Sequence, residues 1–186
     1  YLPLLQRKRV GLVINQTSMI GNTSLLDSLL HLGIDVKKIF IPEHGFRGTD
    51  SNGATISNST DQKTGLPLIS LYGKNKKPKS TDLEGLDLII FDIQDVGVRF
   101  YTYISTLHYI MESCAENNIE LLVLDRPNPN GFYIDGPVLD TQFRSFIGMH
   151  PIPIVYGLTI GELSKMIQGE QWINKAKSLK LKVIQC

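Results

Sequence analysis

Residues 10–14 read Val-Gly-Leu-Val-Ile, an apolar run with no polar residue at alternate positions. A strand with water on one face alternates, so a run without alternation is covered on both faces, the condition of a parallel strand between two layers. The rest of the chain repeats the theme. Further strand patterns lie at 36–41, ended by Pro42, at 68–72, closed by Gly73, at 86–93, at 119–124 and at 181–184. Of these, 86–93 is the most apolar, interrupted only by Asp87 and Asp92.

Helical patterns separate them. Asn22, Thr23 or Ser24 caps a helix whose Leu25, Leu26, Leu29 and Leu30 share one face, and Gly33 supplies its stop. A second helix is expected over about 101–117, and Thr159 or Gly161 opens a third with Leu163, Met166 and Ile167 on one side. Strands alternating with helices imply right-handed crossovers and a Rossmann-like, three-layer α/β domain with a mostly parallel sheet. No internal repeat or interdomain linker divides residues 1–186, and a chain of that length buries roughly two-thirds of its unfolded surface. The stretch 49–65 is rich in Ser, Asn, Thr, Asp and Gly, a long loop read as a candidate lid.

Charge narrows the partners. Nineteen basic and 18 acidic residues leave a formal net charge of +1, spread along the chain, which argues against nucleic acid or an anionic membrane and for a small or neutral ligand. The one basic run, Lys74, Lys76, Lys77 and Lys79 around Asn75 and Pro78, reads as a solvated loop. No apolar run approaches the roughly 20 residues of a spanning helix. Cys114 and Cys186 have no metal or redox spacing. Tyr1 leads almost at once into a strand and 181–186 is a strand with nothing after it, so the chain is expected to be part of a longer protein.

In open α/β sheets ligands bind beyond the carboxyl ends of the strands. Here those ends run into Asn15, Gln16 and Thr17; into Pro42 through Gly48; into Asp92, Gln94, Asp95 and Arg99; and into Asp125, Arg126 and Asn128. Four strand ends thus deliver acids, bases and amides to one edge. The sharpest is Pro-Glu-His-Gly-Phe-Arg-Gly, residues 42–48. A carboxyl desolvated beside Phe46 has the raised pKa that a general acid needs at neutral pH, which makes Glu43 the first catalytic candidate; an ion pair with Arg47 across the turn is the alternative. His44 is read as a substrate contact or a hydrogen-bonded structural group.

Asp92 and Asp95, three apart and followed by Gly97 and Arg99, offer acceptors for sugar hydroxyls or ligands for a cation. Tyr101 and Tyr103 open the following helix, where a ring either stacks on a sugar face or packs in the core. Asp125 with Arg126 is a pair bracing the loop or a clamp on substrate.

These segments resemble the NamZ family of exo-β-N-acetylmuramidases, glycoside hydrolases that remove terminal N-acetylmuramic acid from peptidoglycan fragments. The resemblance is carried in order by GLVINQTS, IPEHGFRG, TGLPLISLYG, FDIQDVGVRFYTYISTL, LDRPNPNG, DGPVLD and PIPIVYGLTIGEL, which together cover most of the chain. It implies a catalytic N-terminal domain followed in the family by a smaller C-terminal domain, with 1–186 as the catalytic part, and it implies export to the periplasm or outside the cell. The family's catalytic glutamate falls on Glu43. Asp92, Asp95 or Asp125 is left as the second group of a glycosidic cleavage, with substrate assistance by the N-acetyl group a further route. Arg99 or Arg126 is a planar fork suited to the lactyl carboxylate.

The ligands implied are MurNAc-GlcNAc saccharides, with no organic cofactor, no metal ligand set and no oligomeric state assigned. A metal-dependent hydrolase using Glu43, His44, Asp92, Asp95 and Asp125 is the enzyme alternative, although no spacing such as HExxH supports it. A non-catalytic sugar-binding module is the third class. A nucleotide-binding protein is weaker, because the first strand is followed by NQTSMIGN and not GxGxxG.

Overall fold

A computed structural model describes residues 1–42 and 59–186. In chain order its strands are β1 (Val10–Ile14), β2 (Met19–Ile20), β3 (Thr23–Ser24), β4 (Val36–Ile41), β5 (Ser59–Thr60), β6 (Pro67–Ser70), β7 (Leu88–Asp92), β8 (Glu120–Leu124) and β9 (Leu181–Ile184). The helices are α1 (Leu25–His31), α2 (Ser80–Leu83), α3 (Tyr103–Asn117) and α4 (Ile160–Gly169). No helix among the described residues is long and apolar enough to cross a membrane.

The main sheet runs β5-β6-β4-β1-β7-β8-β9, and every pairing in it is parallel except the β5–β6 edge. Leu12, in the middle of β1, stands opposite Ile39 of β4 on one side and Ile90 of β7 on the other. All five β1 residues are buried, and so are all five of β7. Their side chains part by the strand's period of two. Val10, Leu12 and Ile14 join Ile39, Ile90 and the α1 leucines Leu25, Leu26 and Leu29 in one apolar layer. Val13, Phe40, Ile89 and Phe91 join Leu107, Met111, Leu163 and Ile167 of α3 and α4 in the other. The unalternating strand is thus explained, and the expected three-layer α/β architecture is present.

Helix ends follow the sequence signals. Ser24 accepts the Asp27 N–H at 3.1 Å to start α1, and Gly33 beyond its end has φ +72°. Thr159 and Glu162 form a reciprocal capping box on α4, at 3.1 and 2.9 Å. Three two-residue strands were beyond periodicity to detect, and β5 falls inside the stretch read as a polar loop. Of that candidate lid, residues 49–58 lie outside the described residues. The lysine loop is more anchored than its composition implies. Lys77 donates to Glu112 and Glu116 of α3 at 2.7 and 2.9 Å, and Lys76 lies 4.3 Å from the Phe146 ring centre.

Helix α3 is buried over most of its length, and one of its polar contacts joins two histidines. His108 Nδ1 and His150 Nε2 are 3.1 Å apart, with His150 wholly buried against Trp172. Burial, the largest cause for each, holds His108 down at about 4 and His150 at about 3. In the unfolded chain both would titrate near pH 6.5. Between those values the unfolded state binds more protons than the folded one, so the stability these neutral rings carry is complete above 6.5 and is lost as pH falls toward 4. Thermal unfolding followed by circular dichroism from pH 7.5 to 5 should show this loss beginning near 6.5, at up to about 1.4 kcal/mol per pH unit for each ring. His108→Gln should reduce the slope by about half; a profile with no slope would mean that the rings are charged in the fold.

Candidate active site

Chain order along the sheet reverses between β1 and β7, because the strands on one side of β1 precede those on the other. Crossover connections diverge at such a point and leave a crevice beyond the carboxyl ends of the two strands. Ile14, the last residue of β1, is in register with Asp92, the last of β7. The segments that leave these two residues form the crevice.

Beyond β1 the chain turns on Asn15, whose Oδ1 accepts the Thr17 N–H at 2.9 Å and the Thr17 hydroxyl at 2.5 Å. Thr17 Oγ1 in turn accepts the Gln94 N–H at 3.0 Å, and the Ser18 hydroxyl donates to the Asp92 carbonyl. This turn therefore stitches the end of β1 to the end of β7. Asn15 is buried, and its Nδ2 has no partner among the described residues. Burial, then the neighbouring Tyr101, pushes the Tyr103 pKa up to about 12, against a lowering by Asn15 and Gln16. Tyr103 is the core member of the aromatic pair. Its ring meets that of half-buried Tyr101 edge to face, centres 5.0 Å apart.

The carboxylates have separate employments. Asp92 is 3% exposed and accepts both Arg126 Nε at 2.6 Å and Nη2 at 3.0 Å, a two-pronged pair that raises the Arg126 pKa. Asp125 accepts the Gly161 N–H at 2.7 Å and the Arg126 N–H at 3.0 Å on Oδ1, and the Thr159 hydroxyl at 2.8 Å on Oδ2. It secures the start of α4. A Cβ on Gly161 would come within 2.6 Å of the Asp125 carboxyl carbon, so glycine is required there. The Arg126 guanidinium thus serves Asp92, so of the two readings of Asp125 with Arg126, a side-chain pair bracing the loop is not what the fold builds.

Asp95 is 6% exposed. Its Oδ2 accepts the Tyr156 hydroxyl and the Gly97 N–H, the latter at 2.8 Å, while Oδ1 is buried without a partner among the described residues. Burial is the largest influence on this carboxyl and raises its pKa from the ordinary aspartate value, against the lowering by Tyr156 and by the Gly97 and Val96 N–H groups.

Around these groups two loops interlock. Gln94 Nε2 donates to the Asp95 and Pro127 carbonyls, both at 2.8 Å. Asn128 Nδ2 donates to the Leu158 carbonyl at 2.8 Å, and its Oδ1 lies 2.0 Å from where a Cβ on Gly97 would stand. Arg99 Nη1 donates to the Pro137 carbonyl at 2.8 Å and to that of Ile152. Both arginines read as forks for a ligand carboxylate are therefore already bonded within the protein. Asn15, Asp92, Gln94, Asp95, Tyr101, Asp125, Arg126 and Asn128 come from three strand ends to one edge, with Arg99 bracing its rim. Glu43, His44 and Arg47 lie outside the described residues. Tyr156 was missed by sequence reasoning: it stands 61 positions from Asp95, and nothing local in its segment marks it.

Among the described residues no three His, Cys, Asp or Glu side chains group as metal ligands. The chemistry on offer is hydrogen bonding to a polar ligand plus one carboxyl with raised affinity for a proton.

Residues 10–186 match the family model described as exo-beta-N-acetylmuramidase NamZ, N-terminal. The chain is 47% identical over 175 residues to the peptidoglycan beta-N-acetylmuramidase NamZ of Bacillus subtilis (strain 168), a match covering 91% of this chain and 42% of the relative. Crystal structures of two DUF1343 family proteins from Bacteroides fragilis superpose with TM-scores of 0.88 and 0.89 at 46% and 42% identity, covering 99% and 98% of this chain and 48% and 46% of theirs. The chain thus spans less than half the length of these relatives.

Arg126→Met would leave Asp92 buried and unpaired at the end of β7, at a cost of about 3 kcal/mol in urea unfolding. The double change Asp92→Asn with Arg126→Met should recover much of that loss; equal instability in both variants would mean that the pair is not what holds the crevice together.

Proposed function

This chain belongs to the NamZ family, and on that premise we propose that it carries the catalytic part of a glycosidase that releases terminal N-acetylmuramic acid from peptidoglycan fragments. The observation that carries the reading is its 47% identity, over 91% of its length, to a protein named as a peptidoglycan beta-N-acetylmuramidase. Two features of the crevice support it. It lies at the sheet's reversal point, and it contains a carboxyl whose proton affinity burial has raised.

Glycosidic cleavage needs an acid for the leaving oxygen and a second group for water or for the sugar carbon. Glu43, in the Pro-Glu-His-Gly segment after β4, takes the first role in this proposal. Of the three aspartates at the strand ends, Asp95 takes the second, because both oxygens of Asp92 and of Asp125 are occupied. His44 and Arg47 lie beside Glu43 in sequence and are assigned to substrate contact. The ligand is a MurNAc-GlcNAc saccharide. Peptidoglycan lies outside the cytoplasm, so the site of action proposed is the periplasm or the cell exterior.

The test is release of chromophore from para-nitrophenyl N-acetylmuraminide by this protein and by Glu43→Gln, each with its fold checked by circular dichroism. Activity that falls by about a hundredfold or more in the mutant alone is the expected result. Equal activity in both would remove Glu43 from the mechanism, and binding of muramic-acid ligands with no release by either would make this part of the molecule a sugar-binding module.

A further inference from the structure

A cavity of about 320 Å³ opens between α3, which contributes His108 and Tyr109, and the segment 144–149, which contributes Arg144, Ser145, Phe146 and Met149. No Asp or Glu lines it. Arg144 is exposed, and its Nε donates to the Met149 carbonyl at 2.5 Å, which leaves its two Nη groups without a hydrogen bond among the described residues. Lys76, 4.3 Å from the Phe146 ring centre, adds a second positive charge nearby. The rings of Tyr109 and Phe146 are parallel to within 10°, their centres 6.0 Å apart. At the base His108 gives its Nδ1 to the buried His150, so the nitrogen it shows the cavity is Nε2.

We propose that this cavity binds a small carboxylate: its oxygens take the His108 Nε2–H, the Arg144 Nη groups and the Ser145 hydroxyl, and its carbon tail rests on Tyr109, Phe146 and Met149. The proposal does not depend on the glycosidase reading.

His108 is a donor there because of its partner. His150 is wholly buried and its Nδ1 has no partner among the described residues. A neutral imidazole has one N–H and one bare nitrogen. Were Nδ1 of His150 the protonated one, an N–H in the core would stand without an acceptor, the rarer kind of orphan. Trp172 does not supply one: its ring lies 31° from the plane of His150, so an N–H in that plane does not aim at its face. The proton sits instead on Nε2 of His150 and is donated to His108 Nδ1, 3.1 Å away. His108 then carries its own proton on Nε2, facing the cavity. The charged groups that act on His108 are Glu112, Arg144 and Lys77. Glu112 is occupied by Lys77 and by the Asn174 N–H, at 2.7 and 3.1 Å, and is not in the lining, so the cavity meets a ligand with donors and one unspent guanidinium. A carboxylate matches that set, and the aromatic and thioether walls match a short carbon tail.

The tautomers are read first, by nuclear magnetic resonance of protein with isotope-labelled histidine at neutral pH. His31→Gln and His44→Gln identify the other two signals, and both rings of the buried pair should be Nε2–H; a proton on Nδ1 of either overturns the proposal. Sodium propionate is then titrated against sodium chloride at equal ionic strength. The Nε2–H signal that moves, assigned by His108→Gln, should be that of His108, and it should saturate with propionate and stay still with chloride. Arg144→Gln, its fold checked by circular dichroism, should weaken propionate binding about tenfold or more. N-acetylmuramic acid, which carries a carboxylate on a sugar, distinguishes the source: binding tighter than propionate assigns the cavity to a sugar acid, and binding weaker or equal assigns it to a free acid. N-acetylglucosamine, which lacks the carboxylate, should leave the signal in place. No saturable movement with either acid, equal movement with chloride or N-acetylglucosamine, or unaltered binding in Arg144→Gln overturns the site. Should Arg144→Gln fail to fold, the tautomers and the titrations of the wild-type protein still decide.

Discussion

The structure depends on β1 being buried on both faces between two parallel neighbours. That burial removes any freedom of register, since a slip of one residue would exchange Leu12 and Ile14 with Val13 between two apolar layers of different shape. With β1 set against both β4 and β7, Ile14 and Asp92 end level, and the segments that leave them are brought within hydrogen-bonding distance. The crevice is a consequence of packing several residues below it.

Polar groups at that edge are then governed by the cost of burial. Asp92 is buried and Asp125 and Asn128 are half-buried; Asp92 is answered by Arg126 beyond β8, and Asp125 and Asn128 by groups at the start of α4. These cross-links tie the strand ends to one another and to the start of α4. They also consume most of the polar residues that look reactive in the bare sequence. What is left unmatched there among the described residues, Asn15 Nδ2 and Asp95 Oδ1, is small in number and lies in the segments that follow the neighbouring strands β1 and β7. A folded protein keeps such unsatisfied groups where function compensates for them.

The same logic separates two buried polar pairs. His108 and His150 share a hydrogen bond deep beside α3 and are held neutral chiefly by burial, a structural arrangement whose cost appears only in acid. Asp95 and Tyr156 share one beyond the carboxyl ends of the strands, within the candidate site. Burial shifts both pairs toward the uncharged form. Position in the fold gives them different consequences.

Strand and helix placement was legible in the sequence because it rests on local facts: unalternating apolar runs, leucines three and four apart, Ser24 and Thr159 as caps, Gly33 as a stop. The carboxyl edge was legible too, since parallel strands separated by helices send all their C-terminal loops to one side. The partnerships on that edge were not. Arg126 stands next to Asp125 in the chain and pairs with Asp92, 34 positions away; Asp95 finds its donor 61 positions away in Tyr156. No periodicity or spacing encodes such contacts, because they arise where loops from different strands meet. The sequence by itself determined the layers and which residues reach the crevice. Only the tertiary structure decided which of them are spent on holding it and which carboxyl oxygen remains free, because hydrogen bonds are allotted by distance in space and not by order along the chain.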